Sequence, residues 1–182
     1  MSAKKTNRGI LFLAQAALIA ALYAGLCYAG WGVSFGPWQF RFAEALTLLP
    51  VLTPAAIPGL TIGCALANLG SPFGLIDIIF GSLATLLAAV LAYLLRRVQL
   101  RKLPLLSALM PVVCNGVIVG AIIALTITDK LSFSDFSFVN FLTFGGQVAL
   151  TEFVICYGLG LPLAALLRKV PFVQFNKENP HA

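Results

Sequence analysis

Residues 39–50 read QFRFAEALTLLP and place Arg41 and Glu44 three positions apart at the start of an apolar segment. The chain has 182 residues, of which 60% are hydrophobic and only 10% are charged. A soluble domain would have about 45–50% apolar and about 25% charged residues, so the composition predicts a membrane protein. Ionisable side chains at membrane depth are costly and usually functional, which draws attention to this pair and to Asp77 and Glu152.

Six hydrophobic blocks predict an all-α membrane protein, a six-transmembrane-helix bundle that forms a single membrane domain over residues 1–182. A helix needs about 20 apolar residues to cross the hydrocarbon. The second and third blocks are short, so they represent either two helices or one broken or re-entrant unit around 53–58. We place the helices at roughly 10–30, 43–56, 57–70, 73–95, 104–128 and 137–168, followed by a cytoplasmic tail over 169–182.

The basic residues predict the orientation of the bundle. Lysines and arginines stand before the first block, between the fourth and fifth, and after the sixth, which leaves only Arg41 and Lys130 for the opposite face. By the positive-inside rule the N and C termini and the 96–102 loop are cytoplasmic. The net charge of +6 is thus explained by topology in the lipid bilayer. No nucleic-acid partner is expected, because the basic residues do not gather on one face.

The sequence carries no pattern typical of an enzyme or a metal site. The cysteines are isolated, one in each of four predicted helices, which favours buried thiols over a zinc or redox site. We find no serine–histidine pairing, no HExxH and no phosphate-binding loop. We therefore expect no catalytic residues and no cofactor. If ATP drives transport, partner subunits must hydrolyse it.

Small residues recur at four-residue spacing in three predicted helices. In a bilayer such stripes let helix backbones approach closely. Gly59 and Gly63 in the third helix and Gly116 and Gly120 in the fifth predict contacts within the bundle. The first helix has a broader stripe, which can serve both a neighbouring helix and a separate subunit. Its members are Ala16, Ala17, Ala20, Ala21 and Ala24.

Polar and aromatic residues in the apolar blocks define a candidate ligand site, and each also has a structural interpretation. Arg41 and Glu44 can neutralise each other if the helix begins near Arg41, because i,i+3 residues share a face. Interface anchoring, helix capping and interhelical hydrogen bonds are the structural alternatives for the others. The candidates are Trp38, Phe40, Arg41, Glu44, Asn68, Asp77, Asn115, Gln147 and Glu152.

The chemistry of this set favours a planar ligand rich in hydrogen-bond donors. Carboxylates accept pairs of N–H groups or a cation, amides read the edges of rings, and aromatic faces stack on planar rings. If Arg41 is balanced by Glu44, then Asp77 and Glu152 leave an acidic surplus. A neutral or cationic heterocycle therefore fits better than an anion.

Four strings resemble the QueT family, the queuosine-precursor transporters of bacteria. They are FRFAEALTLLP at 40–50, AIPGL at 56–60, GCALAN at 63–68 and DIIFGSLATL at 77–86. The resemblance extends over about residues 10–168, and the later helices are less distinctive. It implies a substrate-binding S component of an energy-coupling-factor (ECF) transporter in the bacterial plasma membrane. Such a protein has six helices and an outward-facing pocket capped by the loop between the first two.

The resemblance also implies partners and a substrate. The partners would be a transmembrane coupling subunit, in contact with the small residues of the first helix, and two cassette ATPases. The substrate would be a 7-deazaguanine such as preQ1 or queuine. We hypothesise that Asp77 and Glu152 accept the base edge and the protonated amine, in an order that the sequence leaves open.

In the same hypothesis Asn68, Asn115 and Gln147 read the remaining polar edges, and Trp38 or Phe40 stacks on the base. Two alternatives remain at this point. One is an S component for another vitamin or base. The other is a solitary secondary carrier driven by protons.

Overall fold

The computed structural model describes residues 2–35, 39–72, 74–100, 103–126 and 137–169, with side chains described from residue 8 onward. Within these ranges all regular structure is helical, which confirms the predicted all-α class. The described residues form seven α-helices, two 3₁₀ segments and two π-helical turns, and they contain no β-strand.

The helices follow the predicted blocks, with irregular turns inside two of them. The first block forms α1 (Ser2–Ala29) and is followed by the short α2 (Trp31–Ser34). The second block is a 3₁₀ helix (Phe42–Val51) and the third is α3 (Ala56–Asn68). The rest of the chain contains a π turn (Asp77–Gly81), α4 (Ser82–Leu94), a 3₁₀ turn (Leu95–Arg97), α5 (Leu105–Thr126), α6 (Phe138–Ile155), a second π turn (Cys156–Gly160) and α7 (Leu161–Leu167).

Four segments of the described chain are long and apolar enough to cross a membrane. They are Arg8–Ala29, Asp77–Arg97, Leu105–Thr126 and Phe138–Leu167. The 3₁₀ helix has 10 residues and α3 has 13, so each is only about 20 Å long, less than the thickness of about 30 Å of the hydrocarbon. The bundle therefore has four long helices and two short ones, where the sequence predicted six spanning helices.

Contacts between neighbouring helices show that the helical runs alternate in direction. Tyr23 contacts Glu44, while Gln15, two turns earlier on α1, contacts Thr53, so the 3₁₀ helix runs antiparallel to α1. Helix α3 turns back and runs parallel to α1, because Gly59 lies beside Ala16 and Gly63 beside Ala20.

The second half of the bundle continues this alternation. Ser107 near the start of α5 donates to the carbonyl of Ala92 near the end of α4, at 3.0 Å. On α5 and α6, Gly120 lies beside Gly145, and Gly116 lies beside Ala149. These neighbouring helices are therefore antiparallel, and the described residues form six helical runs if the two short ones are counted.

Glycines permit the closest helix contacts. A Cβ atom on Gly59 would lie 2.7 Å from the carbonyl oxygen of Ala16, and one on Gly63 would lie 2.9 Å from that of Ala20. The α5–α6 contact uses glycine from both helices, since a Cβ on Gly145 would lie 2.7 Å from the carbonyl oxygen of Gly116. The packing predicted for the glycine stripes is thus confirmed, and these contacts fix the walls of the site between the helices.

The described basic residues gather at one end of the bundle, with one exception. Arg96 and Arg97 end the α4 segment, next to the start of α5. Arg168 follows α7 at the same end. This placement is shown by Tyr157, just before α7, whose hydroxyl donates to the carbonyl of Leu105 at the start of α5, at 2.9 Å. The exception is Arg41, which is buried at the opposite end, between the 3₁₀ helix and the π turn before α4.

Candidate binding site

A small polar cavity lies between the 3₁₀ helix, α4, α5 and α6. Its volume is about 10 Å³, which is room for about one water molecule. Val119 and Val148 form an apolar part of its wall, and Gly81 contributes bare backbone. The polar residues that line it are Gln39, Arg41, Glu44, Thr85, Asn115 and Glu152. Four of these six were predicted from the sequence as ligand-binding residues.

Arg41 is paired with Asp77, not with Glu44 as the sequence predicted. Its Nη2 lies 3.4 Å from Oδ2 of Asp77, and both side chains are buried, with 8% and 1% of their surface exposed. The predicted pairing is wrong because Arg41 has an extended backbone (φ −98°, ψ 105°) and the helix begins one residue later. The guanidinium therefore points toward the π turn that carries Asp77, and it lies 5.1 Å from the ring centre of Phe35.

Asp77 and Asn68 lie behind Arg41 and do not line the cavity described above. The side-chain amide of Asn68 donates to the backbone carbonyl of Asp77, with Nδ2 2.8 Å from the oxygen. This bond supports the π turn that presents the Asp77 carboxylate. A Cβ on Gly81 would lie 2.7 Å from Nδ2 of Asn68, so glycine is needed for this close approach. Asn68, at the end of α3, thus supports Asp77 in the π turn, and Asp77 in turn positions Arg41.

Glu44 is buried in the wall of the cavity and only one of its oxygens is paired. The hydroxyl of Tyr23, on α1, donates to Oε1. Oε2 has no hydrogen-bond partner among the described residues, although the side chain is only 3% exposed. Buried polar atoms in native proteins almost always have a partner, so this oxygen is a candidate acceptor for a water molecule or a ligand atom.

Glu152 faces the same cavity from α6, and both of its oxygens have donors. The amide of Asn115 donates to Oε1, with Nδ2 2.6 Å away. The thiol of Cys156 donates to Oε2, with Sγ 3.6 Å away. Cys156 also lies 3.7 Å from the carbonyl oxygen of Glu44 and 3.6 Å from the hydroxyl of Thr47. One thiol therefore contacts both acidic positions, which places Glu44 and Glu152 at adjacent parts of the wall.

Two predicted ligand residues lie outside the cavity lining, and the position of a third is not described. Phe40 packs edge-on against Phe42, with ring centres 5.2 Å apart, and does not line the cavity. Gln147 is half-buried on α6 and is also absent from the lining. Trp38 lies outside the described residues.

The five alanines predicted to contact a partner subunit divide into two groups. Ala16 and Ala20 are buried against α3, at the close contacts with Gly59 and Gly63. Ala17 and Ala21 are exposed on an adjacent face of α1, and Ala24 is half-buried between the two groups. The inner part of the stripe therefore packs inside the bundle, and the outer part is exposed at Ala17 and Ala21.

Sequence reasoning missed several residues at the site. Tyr23 is completely buried and holds Glu44, but a tyrosine in an apolar helix is typical of ordinary core packing. Thr85 and Cys156 lie in apolar runs without a motif. Gln39 adopts a left-handed backbone with φ 45°, a conformation that is uncommon for residues other than glycine. Only its position two residues before Arg41 hinted at a role.

The geometry defines a class of protein first. It is a multi-pass helical membrane protein whose buried cavity presents two carboxylates, an amide and one arginine that is already paired. Residues 13–169 match the model of the family described as QueT transporter. The match includes most of the chain, and the chain belongs to the QueT transporter family. This is a family of transporters and not of enzymes, as the sequence predicted.

A relative from Lactococcus lactis subsp. cremoris (strain MG1363) is named Queuosine precursor transporter QueT. It is 38% identical to this chain over 81 residues, which cover 43% of the chain and 47% of the relative. The match therefore spans about half the length of that relative. No solved structure matches the chain.

Proposed function

We propose that this protein is the substrate-binding S component of an ECF-type transporter that imports a queuosine precursor, a 7-deazaguanine such as preQ1 or queuine. Membership of the QueT family supports the transport of this class of molecule. The observation that carries the assignment of the site is the cavity with two buried carboxylates and the amide of Asn115. A guanine-like base presents an N–H and an exocyclic amine along one edge, which a carboxylate can accept in pairs.

In this proposal Glu152 and Asn115 bind the base. Arg41 forms part of the cavity wall and can donate a hydrogen bond to the ligand, while its charge is offset by Asp77. Asp77, assigned to the ligand in our hypothesis from the sequence, instead holds Arg41 in place. The cavity of about 10 Å³ is much smaller than a purine, so binding must widen it. We expect the helices around the cavity to move apart when the ligand enters.

The proposed topology has six membrane passages, with both termini on the cytoplasmic side of a bacterial plasma membrane. The gathering of basic residues at one end of the bundle supports this orientation. The sequence contains no phosphate-binding loop, so a transmembrane coupling subunit and two cassette ATPases would supply the energy. The exposed Ala17 and Ala21, with Ala24 beside them, are the small residues best placed to contact that coupling subunit.

Calorimetric titration of the detergent-purified protein tests the substrate. The ligands are preQ1, queuine, guanine and riboflavin. We expect tight binding of preQ1 or queuine, much weaker binding of guanine and none of riboflavin. If no deazaguanine binds, the substrate assignment is wrong.

A solitary proton-coupled carrier is the second candidate, because two carboxylates share the cavity. Uptake into vesicles distinguishes the two candidates. An S component requires its coupling subunit and ATPases, whereas a solitary carrier works without them and stops when the proton gradient is collapsed.

A further inference from the structure

We infer that the cavity exchanges a proton for the positive charge of its ligand, with Glu44 binding the cationic group and the Glu44–Glu152 pair releasing the proton. This inference rests on the proposed function for the base, but it concerns the charge of the side arm on that base. It makes Glu44 the residue that distinguishes a cationic precursor from a neutral one with the same ring system.

Among the described residues, the charges around the cavity do not balance. Arg41 is the only cationic residue among the described residues that line it, and Asp77 already offsets that charge at 3.4 Å. Glu44 and Glu152 remain, with 3% and 6% of their surface exposed. Two buried carboxylates without a countercharge would be very costly, and such groups take up a proton or a cation instead.

No other charged group of the described chain can supply the missing charge. Glu44 is faced by the phenol of Tyr23 and the thiol of Cys27 on α1, and by the thiol of Cys64 on α3. From the other side it is faced by Glu152 and Cys156, and Arg41 is on its own segment. These neighbours are neutral or acidic apart from Arg41. A proton is therefore the cation that the empty cavity has available.

The hydrogen bonds indicate which carboxylate receives the ligand cation. Each oxygen of Glu152 already accepts one hydrogen bond, from Asn115 or Cys156, and keeps one acceptor site for a further neutral donor. Oε2 of Glu44 has no hydrogen-bond partner among the described residues, and Glu44 is one of the residues that line the cavity. An ammonium group is a strong donor without acceptor capacity, so it complements this oxygen. Glu152 and Asn115 are left for the edge of the base, which is the same in cationic and neutral ligands.

The exchange balances in atoms and charge. A ligand with an ammonium group enters a cavity in which the carboxyl pair holds a proton. The proton leaves to solvent, and the ammonium group donates hydrogen bonds to the Glu44 carboxylate. The net charge of the cavity is the same before and after. A neutral ligand cannot replace the proton, so it binds without releasing one.

Calorimetry in two buffers tests this inference. The protein is titrated at one pH with 7-aminomethyl-7-deazaguanine (preQ1) and with 7-cyano-7-deazaguanine, in phosphate and in Tris, whose ionisation enthalpies differ. The dependence of the binding enthalpy on the buffer gives the number of protons released. We expect up to one proton for the aminomethyl ligand and none for the cyano ligand. We also expect the aminomethyl ligand to bind about 10- to 100-fold more tightly, because it gains a charged hydrogen bond.

Two variants separate the roles of the carboxylates. In Glu44→Gln we expect the aminomethyl ligand to lose its advantage over the cyano ligand and to release no proton. In Glu152→Gln we expect both ligands to weaken together. Binding of the cyano ligand by Glu44→Gln also shows that this variant is folded.

The possible failures are distinguishable. If neither ligand binds the unmodified protein, the proposed function fails. If both bind it equally, or the aminomethyl ligand binds without releasing a proton, the proposed function stands and the charge exchange is wrong. If Glu44→Gln weakens both ligands alike, Glu44 is not the residue that selects the cation.

Discussion

Two buried regions meet on α5 and satisfy opposite requirements. The α5–α6 seam, at Gly116, Gly120 and Gly145, has no polar side chain and brings two backbones into contact. Directly before the seam, Asn115 turns into the cavity and donates to Glu152. The seam depends on shape, because any added atom collides with backbone. The cavity depends on charge and hydrogen bonding, and it leaves Oε2 of Glu44 without a partner among the described residues.

This difference separates stability from function. A buried polar atom without a partner costs free energy that an apolar residue would not. Packing alone therefore gives no reason to keep two carboxylates in the centre of a membrane protein. The comparison leads to four predictions. Arg41→Met removes an ion pair, Tyr23→Phe removes a hydrogen bond, Gly145→Ala disturbs the packing of the seam, and the fourth prediction compares ligand affinities.

Removal of Arg41 should have the largest effect. Arg41→Met leaves the carboxylate of Asp77 buried at 1% exposure without its partner. Loss of one partner of a buried ion pair lowers the free energy of unfolding by about 3–5 kcal/mol. We expect a loss of this size in thermal or denaturant unfolding of the detergent-purified protein.

The double variant Arg41→Met/Asp77→Asn is the control for this prediction. It removes both charges, so we expect it to recover a large part of the lost stability. If the single and double variants are equally destabilised, the ion pair is not the cause, and the contacts of Arg41 with the Phe35 ring and the Ser34 carbonyl account for the loss.

Tyr23→Phe should have the next largest effect, because it removes the donor to Oε1 of Glu44. Hydrogen bonds to charged groups contribute about 1.5–3 kcal/mol to stability, and we expect the free energy of unfolding to fall by this amount, measured by thermal or denaturant unfolding. Tyr28→Phe is a matched control on the same helix, since the Tyr28 hydroxyl bonds to the carbonyl of Leu66 at an exposed position. If the two variants lose equal amounts of unfolding free energy, the buried hydrogen bond from Tyr23 to Glu44 contributes no more than an exposed one.

The seam is tested by adjacent glycines. In Gly145→Ala the new Cβ would lie 2.7 Å from the carbonyl oxygen of Gly116, so the helices must separate. We expect a loss of about 1–3 kcal/mol, typical of overpacking. In Gly146→Ala the Cβ meets nothing within 4 Å, and the higher helix propensity of alanine should leave stability unchanged or slightly raised.

Ligand preference sharpens the same comparison. Gly145→Ala should leave the ratio of affinities for the aminomethyl and cyano ligands unchanged, because it does not alter the charges of the cavity. Tyr23→Phe should change that ratio, because it alters Glu44. Calorimetric titration of both variants measures the two ratios. A changed ratio in Gly145→Ala would mean that the seam and the cavity are not independent.

Much of the fold could be predicted because it depends on local composition. Apolar blocks predicted the six main helical runs but not the short α2, and glycine spacing predicted the two close contacts. The 3₁₀ conformation of Phe42–Val51 could not be predicted. It involves a hydrogen bond from the hydroxyl of Thr47 to the carbonyl of Glu44, three residues earlier, and burial of almost every residue in the segment, both of which depend on tertiary packing.

The site was predicted in part. Arg41, Glu44, Asn115 and Glu152 could be found because ionisable and amide groups are rare in apolar helices. Their partners could not be found from spacing. Tyr23 reaches Glu44 across 21 positions and Asn115 reaches Glu152 across 37, which requires knowing which helices are neighbours.

The sequence by itself determined the helical membrane class, the gathering of basic residues at one end and the family, because these follow from composition and from short strings of residues. Only the tertiary structure decided how the buried charges are paired. Arg41 precedes the helix in an extended conformation, so its side chain reaches Asp77 on another segment and leaves Glu44 to face the cavity. The φ and ψ angles of Arg41 thus decide that the arginine pairs with Asp77 and not with Glu44.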